Sequence, residues 1–190
     1  LHALNSAIGI VKRMKSLREE FSEKQWPEIY VGVGVNTGMM NVGNKGSEFR
    51  VDYTILGDAV NLGSRLEGLT KVYGVDIITS EFTRHEVPEY EYRELDRVRV
   101  KGKDKPVTIY EPLGFLENVS KAERQLLKQF HIGIKQYRAK NWDAAEREIF
   151  ALSQLDPDRK IYKIYLDRIM HYRENPPEEN WDGSYTHTSK

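Results

Sequence analysis

The stretch Tyr53-Thr54-Ile55-Leu56-Gly57-Asp58-Ala59-Val60-Asn61-Leu62-Gly63-Ser64-Arg65-Leu66-Glu67 reads as a strand, a tight glycine turn and a helix. Asp58 stands where an N-cap carboxylate can accept orphan backbone N–H groups of a first helical turn. From there Ala59, Leu62, Leu66, Leu69 and Tyr73 recur at spacings of three and four, which makes one buried stripe. Gly74 then suits a C-terminal cap. Asn61 and Arg65 lie four apart, one turn above the other on a neighbouring face. An amide and a permanent cation near a strand end and a helix start form a pair suited to handling an anion.

Upstream, Leu1, Leu4, Ile8, Val11, Met14 and Leu17 mark an amphipathic helix that runs to about Phe21. Residues 29–35 alternate Val31, Val33 and Val35 with Gly32 and Gly34 and predict a strand. Its valine face wants a core, and the two missing side chains let another backbone or helix approach closely. Asn36-Thr37-Gly38 ends that alternation, residues 43–47 are expected as a polar turn, and residues 50–55 as the returning strand of a hairpin. Downstream, residues 76–79 predict a short strand and Ser80 the cap of a single helical turn ending near His85. Residues 92–100 and 107–110 predict two strands around the turn at 101–106. This order suits an α+β sheet with helices on one face.

From about Glu117 the pattern becomes helical throughout. Phe130, Ile134 and Tyr137 stripe one helix, Trp142, Ala145, Ile149 and Leu152 the next, and Ile161, Tyr165 and Ile169 a third. Breaks fall at Lys140-Asn141 and Asp156-Pro157. Gly133, Tyr137, Ala145, Phe150 and Pro157 loosely resemble one tetratricopeptide unit, too little for a solenoid. The segment is read as a helical cap packed on the preceding domain or on a partner. The expected divisions are 1–116, 117–174 and a polar extended tail over 175–190.

The 190 residues carry 29 Lys+Arg against 29 Asp+Glu, so net charge gives no argument for nucleic acid or an anionic membrane. With no cysteine, disulfides and thiolate metal sites are excluded. No apolar run approaches a membrane span. The basic residues around 97–105 are interspersed with aspartate and do not make a nucleic-acid patch. The five histidines share no metal spacing, and Gly32 and Gly34 lie in a strand pattern, not in a dinucleotide fingerprint.

Several ordered blocks resemble the class III nucleotide cyclases, which make cyclic AMP from ATP or cyclic GMP from GTP. They are residues 53–67, Gly34-Val35-Asn36-Thr37-Gly38, Gly43-Asn44-Lys45-Gly46-Ser47, Arg99-Val100-Lys101-Gly102-Lys103 and Thr108-Ile109-Tyr110, covering roughly the first two-thirds of the chain. The pattern is most similar to bacterial adenylate cyclases. The resemblance implies an α+β fold, a ferredoxin-like core lacking its N-terminal part. It implies that Arg65 stabilises the transition-state phosphate, Asn61 orients the ribose, Lys101 holds the β- and γ-phosphates and Thr54 meets the purine. Alone, Arg65 is an ordinary surface arginine and Asn61 a residue at home near a helix start; the ordered blocks reverse that weighting. Thr54 favours ATP, although a hydroxyl both donates and accepts and discriminates weakly. The lysine that the family pairs with this position is missing from the chain.

No segment resembles the family's two metal aspartates; Asp58 is explained by capping. The Mg²⁺ or Mn²⁺ such a reaction uses is therefore expected on carboxylates upstream of Leu1. In this family two domains meet head to tail and share each site. The expectation is a homodimeric adenylate cyclase region with an upstream sensor, cytoplasmic, possessing no nucleic-acid partner, and inactive as this chain alone. A non-catalytic regulatory half, a guanylate cyclase, and an interaction module displaying Trp142 or Trp181 are the other readings.

Overall fold

The protein is described by a computed structural model covering residues 1–47, 50–99 and 105–187. Helix α1 (His2–Glu23) is followed by strand β1 (Val33–Val35), the strands β2 (Asn41–Ser47) and β3 (Arg50–Leu56), and helix α2 (Asp58–Tyr73). Strand β4 (Ile77–Ser80), the short helix α3 (Glu81–Glu86) and strands β5 (Tyr90–Arg99) and β6 (Val107–Phe115) come next. Helices α4 (Lys121–Arg138), α5 (Trp142–Leu155) and α6 (Lys160–Glu174) and the two-residue strand β7 (Tyr185–Thr186) complete the order. The five-stranded sheet runs β1-β4-β6-β5-β7, and β2 and β3 form a separate antiparallel ribbon. Among the described residues β1 has a strand neighbour on one side, β4.

The glycines of the first strand act as expected. A Cβ on Gly34 would lie 2.2 Å from the carbonyl oxygen of Gly63, and one on Gly32 2.2 Å from Thr70 Oγ1. Helix α2 therefore rests on the backbone of this strand. Its stripe Leu62, Leu66, Leu69 and Tyr73 is buried, and Gly74 closes it in the left-handed conformation (φ 68°). Ser80 caps α3, its Oγ accepting from Thr83 N–H at 3.3 Å.

Four local expectations need correction. The strand expected over 29–35 is confined to Val33–Val35, because its parallel partner begins opposite, at Ile77, and Ile29 and Tyr30 are exposed. Residues 43–47 are strand, not turn: Gly43 pairs with Thr54 and Ser47 with Arg50, so the ladder outweighs the glycines' turn preference, and the reversal falls outside the described residues. Gly57, not Asp58, is the N-cap of α2; Asp58 is the first helical residue, where its charge still favours the dipole. Helices also cover both sheet faces, not one. Leu4 of α1 packs with Val87, Tyr90, Tyr92 and Tyr110 on one side, whereas α2 and the C-terminal helices occupy the other.

That second face carries a joint core. Leu62, Leu66 and Tyr73 of α2 meet Ile78, Leu95 and Ile109 of the sheet and Phe130, Ile134, Tyr137, Tyr165 and Ile169 of the C-terminal helices. Helix α4 also covers part of the edge of β5: His131 Nε2 accepts from Glu94 N–H at 3.1 Å, and Arg138 pairs with Glu94 at 2.5 Å. Of the tetratricopeptide-like positions, Gly133, Tyr137 and Ala145 are buried, but Phe150 is exposed. Trp142 and Trp181 are half-buried, packed on Tyr172 with ring centroids 5.8 and 5.3 Å away. No helix among the described residues is long and apolar enough to cross a membrane.

Candidate active site

The first two turns of α2 hold Asn61 and Arg65 outside the apolar stripe, Asn61 exposed and Arg65 half-buried. The approach to them is built by Gly57 (φ 157°, ψ 162°), where a Cβ would come within 3.3 Å of Met39 O and Met40 Cα. A side chain there would push the turn away from the ribbon. The N–H groups of Val60 and Asn61 both donate to the Gly57 carbonyl at 3.1 Å, which closes the first turn. Thr54 lies on β3, opposite Gly43 and half-buried, three residues before that turn. The structure thus brings Thr54, Asn61 and Arg65 onto one strand–turn–helix unit. Lys101, the expected phosphate lysine, lies outside the described residues.

One residue quoted in the sequence blocks without a role proves to hold this unit. Asn36, just past β1, donates from Nδ2 to the Ala59 carbonyl at 2.8 Å, and its Oδ1 accepts from Ser80 Oγ at 2.5 Å. The side chain ties the first turn of α2 to the ends of β1 and β4. Thr79 Oγ1, donating to Val35 O at 3.1 Å, secures the same corner. The signal available in the sequence was an amide at the end of a strand predicted to touch the helix.

The ribbon beside the site, with the residues leading into it, exposes several apolar side chains among polar ones. Met39 is 93 % and Tyr53 77 % exposed, with Val42, Ile55 and Leu56 also open. Among the described residues no three His, Asp or Glu side chains come together as a metal site. The residues present therefore supply amide, hydroxyl and cationic groups, which fit phosphate and base recognition and do not fit a divalent cation.

The family described as adenylate and guanylate cyclase catalytic domain matches residues 2–111. An adenylate cyclase of Dictyostelium discoideum, terminal-differentiation specific, is 33 % identical over 176 residues, 90 % of this chain and 8 % of that protein. An adenylate cyclase of Anabaena cylindrica is 39 % identical over 117 residues, 57 % of this chain and 23 % of its own length. The chain thus spans under a quarter of either relative. The crystal structure of the adenylyl cyclase CyaB from P. aeruginosa superimposes with a TM-score of 0.52 at 33 % identity, over 60 % of this chain and 58 % of that one. The guanylyl cyclase Cya2 follows with 0.50 at 27 %, over 62 % and 59 %. With the family match covering more than half its length, the chain belongs to the adenylate and guanylate cyclase catalytic domain family.

Proposed function

We propose that this chain is part of the catalytic region of an adenylate cyclase, forming cyclic AMP and pyrophosphate from ATP at a site shared between two protomers. The observation that supports the reading is the strand–turn–helix unit that carries Thr54 on β3 and Asn61 and Arg65 on α2, outside the stripe by which α2 is locked in the core. In the reaction the ribose 3′-oxygen attacks the α-phosphorus in line and loses its proton. The bond from that phosphorus to the bridging oxygen breaks, and pyrophosphate leaves. Arg65 offers a permanent cation to charge growing on the α-phosphate oxygens. Asn61 orients the ribose, Lys101 offers its charge to the outer phosphates, and Thr54 meets the purine edge.

The apolar side chains exposed on and beside the ribbon support a homodimer, since uncovered groups of this kind commonly mark protein contacts. In this reading Mg²⁺ or Mn²⁺ is held by carboxylates outside the described residues, which bring no three His, Asp or Glu side chains together. In this reading residues 1–116 belong to the cyclase domain, 117–174 form its helical extension, 175–190 follow as a tail, and a sensor lies upstream. The alternative from another class is a regulatory half that dimerises without turnover, a reading that the lack of a carboxylate cluster among the described residues allows.

Cyclic nucleotide production with Mn²⁺ and ATP or GTP separates these readings. It is measured on this chain, on the chain extended upstream in its parent sequence, and on the extended chain carrying Arg65→Ala. Cyclic AMP is expected from the extended form only, with a loss of about a hundredfold or more in the variant, as for removal of one transition-state donor. Product from the 190-residue chain alone would overturn the divided site, and preference for GTP would make it a guanylate cyclase. No product from any folded dimer would leave the regulatory half.

A further inference from the structure

Asp96 is fully buried and sits beside a bulge in β5, where the pairing shifts between Glu94 and Asp96. Three donors bond its carboxylate. Oδ2 accepts from Tyr73 OH and from an Arg168 guanidinium nitrogen, both at 2.6 Å. Oδ1 accepts from Arg97 N–H at 2.7 Å, and the Tyr165 hydroxyl, which donates to the Leu95 carbonyl at 2.8 Å, lies 3.4 Å from it. Tyr73 is the last residue of α2, whereas Tyr165 and Arg168 belong to α6. One carboxylate therefore joins the C-terminal helices to the helix that carries Asn61 and Arg65.

A second tie lies beside it at the end of α2. Lys160, the first residue of α6, donates from Nζ to the Lys71 carbonyl at 2.7 Å, and its stem packs over Gly74. At the opposite end Asn36 holds the Ala59 carbonyl, and between them the helix rests on Gly34. Sixteen helical residues make a rod about 24 Å long, so a rotation at Tyr73 is carried to the first turns. A buried ion pair is seldom more stabilising than apolar side chains of the same volume, so stability does not explain its presence. What it adds is direction: the Tyr73 hydroxyl must meet one oxygen, and only one rotation of α2 allows that. Burial and the neighbouring Asp96 push the Tyr73 phenol well above its ordinary value, which keeps it protonated as the donor.

We infer that the C-terminal helices position the candidate catalytic helix: Arg168, acting through Asp96 and Tyr73, sets the seat of α2 and hence of Asn61 and Arg65. Arg168 and Tyr73 are positioning residues, and the helical extension is a coupling element of the site. The coupling itself is independent of the reaction; its catalytic meaning rests on the adenylate cyclase reading.

The test is amide hydrogen exchange on the 190-residue chain with Tyr73→Phe, Arg168→Met and the conservative Arg168→Lys. Tyr73→Phe leaves the Arg168–Asp96 pair intact and removes one hydrogen bond to a charged group. Opening of residues 58–66 is expected to rise about ten- to a hundredfold in Tyr73→Phe, with the β5–β6 ladder and α4–α5 little changed, whereas Arg168→Met, which leaves Asp96 buried without its cation, should loosen α2 and β5 together. Arg168→Lys should restore part of the protection. A uniform rise across all elements, or faster exchange confined to α4–α6, would overturn the coupling. If Arg168→Met does not fold, Asp96→Asn with Arg168→Met removes both charges and Tyr73→Phe still decides. In an assembly that makes cyclic nucleotide, Tyr73→Phe should lower kcat with KM nearly unchanged; a change in KM alone would overturn the positioning role. A loosened α2 in a protein that never makes cyclic nucleotide would keep the coupling and refute the enzyme reading instead.

Discussion

Leu95 and Asp96 are consecutive and both fully buried on the face that α2 covers, which a regular strand with period two does not allow. The bulge makes it possible, because Glu94 pairs with Tyr110 and Asp96 with Ile109, leaving Leu95 as the extra residue. Asp96→Ala would leave Arg168 buried without its partner, and a loss of about 3–5 kcal/mol in urea unfolding is expected. Gly34 and Gly63 form a contrast. Gly34→Ala drives a methyl into the Gly63 carbonyl and the Glu67 amide and should cost about 1–3 kcal/mol or more. Gly63→Ala meets nothing nearer than Asn36 Cβ at 3.8 Å and gains helix propensity, so it should be neutral or slightly stabilising. Thermal melts of the two variants check the pair; equal losses would contradict the crossing seen here.

At the level of elements, two histidines make the C-terminal structure sensitive to acid. His131 of α4 is held below the ordinary histidine value by burial, and its Nε2 is used as the acceptor for Glu94 N–H. His187, next to β7, is likewise lowered by burial and then by Arg168, with Asp96 opposing, and lies 3.0 Å from Tyr73 OH and against the Tyr185 ring. Because the folded values are depressed, the unfolded chain takes up these protons first as pH falls. Their contribution is therefore complete above about pH 6.5 and declines as pH drops from there toward the folded values. Denaturant midpoints at pH 7.5 and 5.5 should show the fall, and His131→Gln or His187→Gln should flatten it.

The apolar periodicities of α2, α4, α5 and α6 were readable because 3.6-residue spacing survives whatever the helix packs on, and the buried stripes match them. The extents of β1 and β2 were not, since a strand ends where its partner ends, and the partner is remote in the chain. Thr54, Asn61 and Arg65 could be placed on a strand and a helix from local signals alone. Asn36 and Asp96 could not be given roles, because the groups they bind, Ala59 and Arg168, stand 23 and 72 residues away.

For the molecule as a whole, the shared core predicts one cooperative unit. A single calorimetric transition with matching calorimetric and van't Hoff enthalpies is expected, not separate melting of residues 1–116 and 117–190. Removing 117–190 would uncover Leu62, Leu66, Leu95 and Ile109 together, and the remainder should aggregate or lose its near-UV dichroism. A truncated chain with native near-UV signal would show that the two parts fold independently. The free side of β1 has its own consequence. Of its three residues Gly34 turns its N–H and C=O to that side, since Val33 gives its N–H to Asp76 beside β4, so one residue's groups meet a passing strand. Such a rim is a narrow template: the colloidal behaviour of this chain, its tendency to self-associate on concentration, should respond more to short valine-rich peptides that occupy that rim than to salt.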